Sequence, residues 1–259
     1  RLGSVLRSEG FESISALVRC LRGDGSGRLT RLVLEAMTTN ETFFFRDPHA
    51  FEALREHIVP ELLERRAPTR RLRVWSAACS SGQEPYSIAM NLRRHFADQL
   101  SDWDLEILAT DYNQTVLAQA RAGRFNQVEV NRGLPTLHLL EHFRRRGASW
   151  EIEASIRDMI EFRALNLIDA WPKLPKMDLI FLRNVLIYFD DQTRADVLER
   201  ARNQINDDGY LILGRCESSV DLSDKWRPEA LGDMIVYRPS VRSTTDVPIY
   251  ARACSRERG

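Results

Sequence analysis

Apolar residues Phe11, Ile14, Leu17, Val18 and Leu21 recur at helical spacing, with Arg19 and Arg22 near the end of the run, where cations suit the helix dipole. The stretch Gly23-Asp24-Gly25-Ser26-Gly27 breaks the pattern, and Leu29, Leu32, Val33 and Met37 begin a second run. Neither helix is long enough to stand alone, so the two are expected to pack as a helical module over residues 1–37. Residues 38–71 read as a linker and helix. Asp47-Pro48 opens a helix through Phe51, Leu54 and Ile58, Pro60 starts or kinks another turn, and the charged stretch Arg65 to Arg71 looks like surface chain.

From Leu72 the periodicity changes to alternating strands and helices. Leu72–Ser76, Leu105–Asp111, Met159–Phe162, Met177–Leu182, Tyr210–Leu213 and Met234–Tyr237 read as strands. Helices are expected from Glu84-Pro85 through Phe96, around Val116, Leu117 and Ala120 up to Gly123, and over Asp191 to Ile205, the last ended by Asp207-Asp208-Gly209. The alternation predicts an α/β domain over 72–238 with a doubly wound, mostly parallel sheet. Residues 124–158 interrupt it as an insertion with a small hairpin at Arg144-Arg145-Arg146-Gly147. Residues 239–259 read as an extended tail.

Composition narrows the classes. The chain has 259 residues, 43% hydrophobic and 29% charged, an ordinary water-soluble globular balance with room for a large core. Lys+Arg and Asp+Glu are both 37, so the formal net charge is zero, which argues against a nucleic-acid binder. No apolar run approaches the ~18 residues of a membrane span. The four cysteines form no C-x-x-C pair, which argues against a zinc site or disulfide framework and fits a reducing cytoplasm. A start at Arg1 without a signal-peptide pattern fits a trimmed N-terminus.

In an open α/β sheet, ligands bind outside the carboxyl ends of the strands. There the chain places a small-residue loop, Ala77 to Gly82, and an acid, Asp111, able to accept from ribose hydroxyls. The loop lacks G-x-G-x-x-G, so these features alone leave many nucleotide enzymes, or a plain turn with a solvated aspartate, open.

Longer strings are more specific. Thr38-Thr39-Asn40-Glu41-Thr42 running into Phe44-Phe45-Arg46, Trp75 through Ser87, Ala109-Thr110-Asp111, Asn166-Leu167, and Arg183-Asn184-Val185-Leu186-Ile187-Tyr188-Phe189 together resemble the bacterial chemotaxis receptor methyltransferases. The resemblance runs in order over roughly residues 10 to 238. It implies a class I S-adenosylmethionine methyltransferase fold and protein-glutamate O-methylation of chemoreceptors, with S-adenosylhomocysteine as product and no metal. By the same resemblance, Asn40, Thr42, Arg46, Glu84, Asp111, Asn166, Leu167, Arg183 and Asn184 bind the cofactor. Asp111 would hold the ribose and Glu84 the methionine amino group, while Arg46 and Tyr188 would lie nearest the transferred methyl. Where the family often has Gly-Cys-Ser-Thr-Gly-Glu-Glu, this chain has Ala78-Cys79-Ser80-Ser81-Gly82-Gln83-Glu84. Its Gly214-Arg215-Cys216-Glu217-Ser218 replaces Gly-His-Ser-Glu-Ser and is read as scaffold.

A glutamate carboxylate, with a reference pKa near ~4.3, is already ionised at neutral pH, so the reaction asks for alignment rather than a general base. His49, His57, His95, His138 and His142 are read as scattered packing or surface residues. Phe43-Phe44-Phe45 is read as a plug between linker and sheet, and core packing beside Phe189 is the competing role for Tyr188. The partner implied is the cytoplasmic helical bundle of membrane-bound chemoreceptors, engaged by a monomer through Arg19 and Arg22 without membrane insertion. The short turn around Arg144 to Trp150 predicts independence from the C-terminal pentapeptide that tethers some family members. A small-carboxylate methyltransferase and a non-catalytic cofactor-binding scaffold are the competing readings.

Overall fold

Three helices, α1 (Gly3–Glu9), α2 (Ile14–Gly23) and α3 (Arg28–Met37), precede the sheet in the computed structural model, which describes residues 2–23, 27–217, 222 and 224–240. The break at 24–26, Ser218 and the tail from 241 therefore lie outside the described residues. Leu17 of α2 is buried, whereas Arg19 and Arg22 are exposed. An extended linker leads to α4 (Pro48–Ala53), a single π turn at Leu54–Ile58, and α5 (Val59–Arg66). Pro48 takes the first turn of α4, but Asp47 does not cap it; Asp47 sits at φ 56°, and its carboxylate turns elsewhere.

The α/β body contains β1 (Arg71–Ala77), α6 (Gln83–Phe96), β2 (Asp104–Asp111) and α7 (Gln114–Ala122). The insertion follows, as β3 (Arg124–Asn126), α8 (Gln127–Asn131), α9 (Thr136–His142), β4 (Phe143–Arg146), β5 (Ser149–Ile152) and α10 (Ala154–Arg157). The chain then returns to the sheet with β6 (Ile160–Ala164), β7 (Met177–Leu182), α11 (Asp191–Gln204), β8 (Ile205–Leu213), β9 (Trp226–Leu231) and β10 (Met234–Pro239). The main sheet has the order β6-β2-β1-β7-β8-β10-β9. Its first five strands are parallel, and β10 runs antiparallel to both β8 and β9. Because β1 pairs with β2 on one side and β7 on the other, the order reverses there, and the crevice outside their carboxyl ends is the ligand position of such sheets.

Every residue of β7 is buried, as a central strand covered on both faces requires. Phe44, Phe51, Tyr86, Phe125, Phe162 and Phe181 belong to one core cluster that also takes in the helical linker and the insertion. The second cluster, around Trp75, Ile180, Leu182 and Leu211, fills the opposite face under α11.

Four expectations need correction. The strand β8 starts at Ile205, straight out of α11, where Asp207-Asp208-Gly209 had suggested a turn. Its polar residues are held in the strand by partners: Arg66 donates to Asp208, and Asn206 donates to Asp178. The edge strand β9 was not foreseen, because Pro228 and its charged neighbours suit an edge rather than a core strand. Arg66 is not surface chain; its side chain is 17% exposed and paired with Asp178 and Asp208. The insertion holds a three-stranded antiparallel sheet, β3-β5-β4, rather than a lone hairpin, and its β4–β5 loop is the two residues Gly147 and Ala148.

Candidate active site

A cavity of about 390 Å³ opens at the switch point. Its walls come from α3, the linker 38–46, and the loops that follow β1, β2, β6 and β7. All ten residues singled out from the sequence line it: Asn40, Thr42, Arg46, Glu84, Asp111, Asn166, Leu167, Arg183, Asn184 and Tyr188. They converge because each follows the carboxyl end of a parallel strand, begins the helix after it, or sits on the linker packed across those ends.

The backbone around the cavity is strained. Six non-glycine residues among those described have φ between 48° and 58°, and five of them surround the site: Phe45, Asp47, Ala78, Ser80 and Asn184. Such conformations persist only where the surroundings over-determine them, and they cluster at functional sites. Gly82 continues the series at φ 94°, and a Cβ there would lie 2.9 Å from that of Ala120.

The loop after β1 is tied to β2 by Asp111. Its carboxylate accepts from the Ser80 and Asn113 amides, both at 2.8 Å, which leaves each oxygen a lone pair for a further donor. Burial raises the Asp111 pKa, against the pull of those amide bonds. Glu84 is treated alike: burial raises its pKa, opposed by Arg183 and by the Ser76 hydroxyl, which donates at 2.8 Å. Burial also pushes the Cys79 thiol well up, so the cysteine beside the cavity is a packing group rather than a thiolate.

Arg183 joins the parts. Its Nη1 donates to Glu84 at 3.0 Å, and its Nη2 donates to Asp47 at 2.6 Å and to the Arg46 carbonyl at 2.8 Å. Its buried Nε has no partner. Asp47 thus anchors the linker to the end of β7, a role hidden in the sequence by its helix-start context. Arg46 donates to the Glu41 carbonyl at 3.0 Å, and its guanidinium lies 5.5 Å from the Phe43 ring centre.

The phenylalanine triplet divides its work. Phe44 is fully buried, edge-on to Phe125 and Phe143 of the insertion, and Phe45 packs on Phe51 and His138, which is the expected plug. Phe43 instead lines the cavity. Tyr188 is 57% exposed at the cavity, so it is not packed into the core beside Phe189.

Leu34 and Met37 of α3, Tyr112 and Ile168 also line the cavity and were not foreseen. Met37 belongs to the apolar run expected to pack the helical module, whereas Leu34 lies outside that run, and both face the cavity. The histidines are not all scattered, since His138 and His142 lie one turn apart on α9 with stacked rings. Asn166 is partly engaged, donating to Asp169 at 3.0 Å and accepting from the Ile168 amide.

Comparison with known proteins agrees with this geometry. Residues 40–232 match the model of the CheR methyltransferase, SAM binding domain. Chemotaxis protein methyltransferase Cher2 of Pseudomonas putida is 38% identical over 241 residues, 92% of this chain and 87% of that protein. Chemotaxis protein methyltransferase 1 of Pseudomonas aeruginosa is 39% identical over the same shares. A probable chemotaxis protein methyltransferase of Rhizobium etli is 36% identical over 84% of this chain and 82% of that protein. With a family model spanning the cavity-bearing sheet and relatives aligned over most of both chains, this protein belongs to the CheR methyltransferase family.

Proposed function

We propose that the protein methylates glutamate side chains of chemoreceptors, forming methyl esters with S-adenosylmethionine as donor. The observation that carries this reading is the convergence of the ten residues on one cavity, with Arg46 and Tyr188 on its wall. The donor supplies a methyl group on a sulfonium, and the chain's residues must hold it and align a carboxylate with it. Asp111 offers acceptor lone pairs to the ribose hydroxyls, and the unpartnered Arg183 N–H is a donor for the methionine carboxylate. Glu84, flanked by Arg183, faces the amino group, and Leu165 and Leu167 supply apolar wall beside the adenine.

Among the described residues lining the cavity there is no histidine, which agrees with a nucleophile that is already ionised. Arg46 presents a fork that matches a carboxylate, and Tyr188 can donate to the second oxygen. Alignment of this kind contributes on the order of 7–11 kcal/mol to a bimolecular reaction.

Receptor engagement follows from two surfaces. Arg19 and Arg22 stand exposed on α2 for an acidic helical bundle. In the insertion, Arg144 and Arg146 bind Glu153 and Glu151, and the two-residue loop leaves little room for a tethering segment, so methylation proceeds without the C-terminal pentapeptide. Among the described residues no helix is long and apolar enough to cross a membrane. As a separate part of the proposed reading, the enzyme would meet receptor arrays from the cytoplasm.

Labelled S-adenosylmethionine with receptor-bearing membranes should yield base-labile label on the receptor. Label confined to small carboxylates, or cofactor binding without turnover, would replace this reading. Charge reversal at Arg19 and Arg22 should slow the reaction, most strongly at low salt.

A further inference from the structure

The helix α9 carries three potential ligands, His138, Glu141 and His142, on a part of the molecule that the methyl-transfer reading does not use. One donor atom from each lies within 4.8 Å of the others. His138 and His142 are four residues apart, so their rings share one face of the helix; the ring centres are 5.7 Å apart and the planes 28° from parallel. His142 Nε2 stands 3.7 Å from a Glu141 oxygen, too far for a hydrogen bond.

A second observation points to a ligand. Both residues are buried, with 7% and 9% exposure, yet His138 Nδ1 and His142 Nε2 have no hydrogen-bond partner. Five buried side-chain nitrogens or oxygens among the described residues share that condition, and two of the five fall in this one turn of helix. Buried polar atoms are otherwise almost always satisfied, and two unpartnered imidazole nitrogens in one turn of helix leave room for a ligand.

We propose that His138, Glu141 and His142 form a binding site for a divalent transition metal ion, with zinc as the best match. Two imidazole nitrogens and one carboxylate oxygen are a borderline donor set that suits zinc, cobalt or nickel rather than magnesium or calcium.

Donors on one tetrahedral zinc, each at ~2.0–2.1 Å, stand roughly 3.3 Å apart, so donors that now lie within 4.8 Å of one another must close by up to about 1.5 Å. Glu141 is exposed, with one oxygen already 3.7 Å from His142 Nε2, and Arg94 grips both of its oxygens at 2.5 and 2.6 Å. The ion would take one oxygen and leave Arg94 the other. Arg93, Arg94 and His95 of α6 are the basic groups facing the pair, and they limit the affinity. Because His138 stacks on Phe45 at 4.7 Å, coordination would also fix the surface on which the linker before Arg46 rests.

The test is calorimetric titration of zinc chloride into the full, tag-free chain, with cobalt as a spectroscopic probe. One equivalent should bind with micromolar affinity, and cobalt should show the visible bands of a tetrahedral nitrogen–oxygen site without a thiolate charge-transfer band. His142→Asn and Glu141→Gln should each weaken binding by about ten- to a hundredfold, while His57→Asn should leave it unchanged. Glu141 is exposed, so its variant tests the site even if the buried histidine variant fails to fold. No binding heat, a thiolate band, or affinity indifferent to Glu141→Gln would overturn the proposal.

Discussion

Two arginines, one partly and one fully buried, flank the same strand, and they are used in opposite ways. Arg66 pairs near the start of β7 through Asp178, and Arg183 directly follows its end. Every guanidinium nitrogen of Arg66 has a partner: Nε donates to Asp178 at 2.6 Å, and the two terminal nitrogens grip both oxygens of Asp208 at 2.9 and 2.5 Å. Asp178 is completed by Asn206 and the Arg73 amide. Arg183 is more deeply buried, at 1% side-chain exposure against 17%, yet it keeps an N–H without a partner, lines the cavity, and is bound by Asp47, a residue in strained backbone. A closed set of partners marks a brace for the fold, whereas an incomplete set beside a cavity marks a place for a ligand.

The contrast is sharpest on removal of the brace. Arg66→Met should lower the unfolding free energy by about 3–5 kcal/mol, because it strands the buried Asp178. The folded fraction should bind S-adenosylmethionine with unchanged Kd, and denaturant melts combined with calorimetry read both; a shifted Kd would break the contrast. At the other end of β7, Arg183→Lys keeps the charge but loses the fork. Its cofactor affinity should fall by about 1.5–3 kcal/mol, and an unaltered affinity would make Arg183 a second brace. Asp111→Ala should weaken cofactor binding by a similar 1.5–3 kcal/mol through lost contacts to the ribose.

Acid titration separates the two ends more gently. Hydrogen bonding from Arg66 holds the Asp208 pKa below its ordinary value of 3.8, so folded Asp208 takes up its proton at lower pH than the unfolded chain. Its contribution is complete above the unfolded value and is lost as pH falls through the lowered folded one. Arg66→Met should therefore flatten the acid limb of the stability curve, whereas Arg183→Lys should leave that limb in place. The smallest effect on folding belongs to Tyr188→Phe. Stability should move by no more than about 0.5 kcal/mol and cofactor Kd should hold, while turnover drops. Full activity would remove Tyr188 from the substrate side.

Much of the fold was legible in the sequence because parallel strands buried on both faces carry short apolar runs, as in Leu179–Leu182 and Ile107–Ala109. Strand ends pointed only to the Ala77 to Gly82 loop and to Asp111; the other site residues were named through the resemblance carried by their motifs. The partnerships were hidden. Arg183 meets Asp47 and Glu84 across 136 and 99 residues of sequence, and no local pattern records such a meeting. Arg66 looked like surface chain because Arg65, Arg70 and Arg71 around it are solvated. The edge strand β9 lacks apolar alternation, and the polar start of β8 is explained by its distant partners rather than by propensity.

Glu217 carries a lesson about how such a protein can change over time. It is fully buried, and its two oxygens accept four backbone amides, from Gly214, Asn184, Val185 and Leu186, at 2.7–2.8 Å. The contacts address main chain only, so they shape the wall after β7 without reading which side chains it bears. Mutational drift at Val185 and Ile187 is thereby uncoupled from the path of the loop, and the rim beside Tyr188 can be rewritten for a new target while its scaffold stays in place. Gly214 cannot share that freedom, since a Cβ there would lie 2.6 Å from both Asn184 and Glu217.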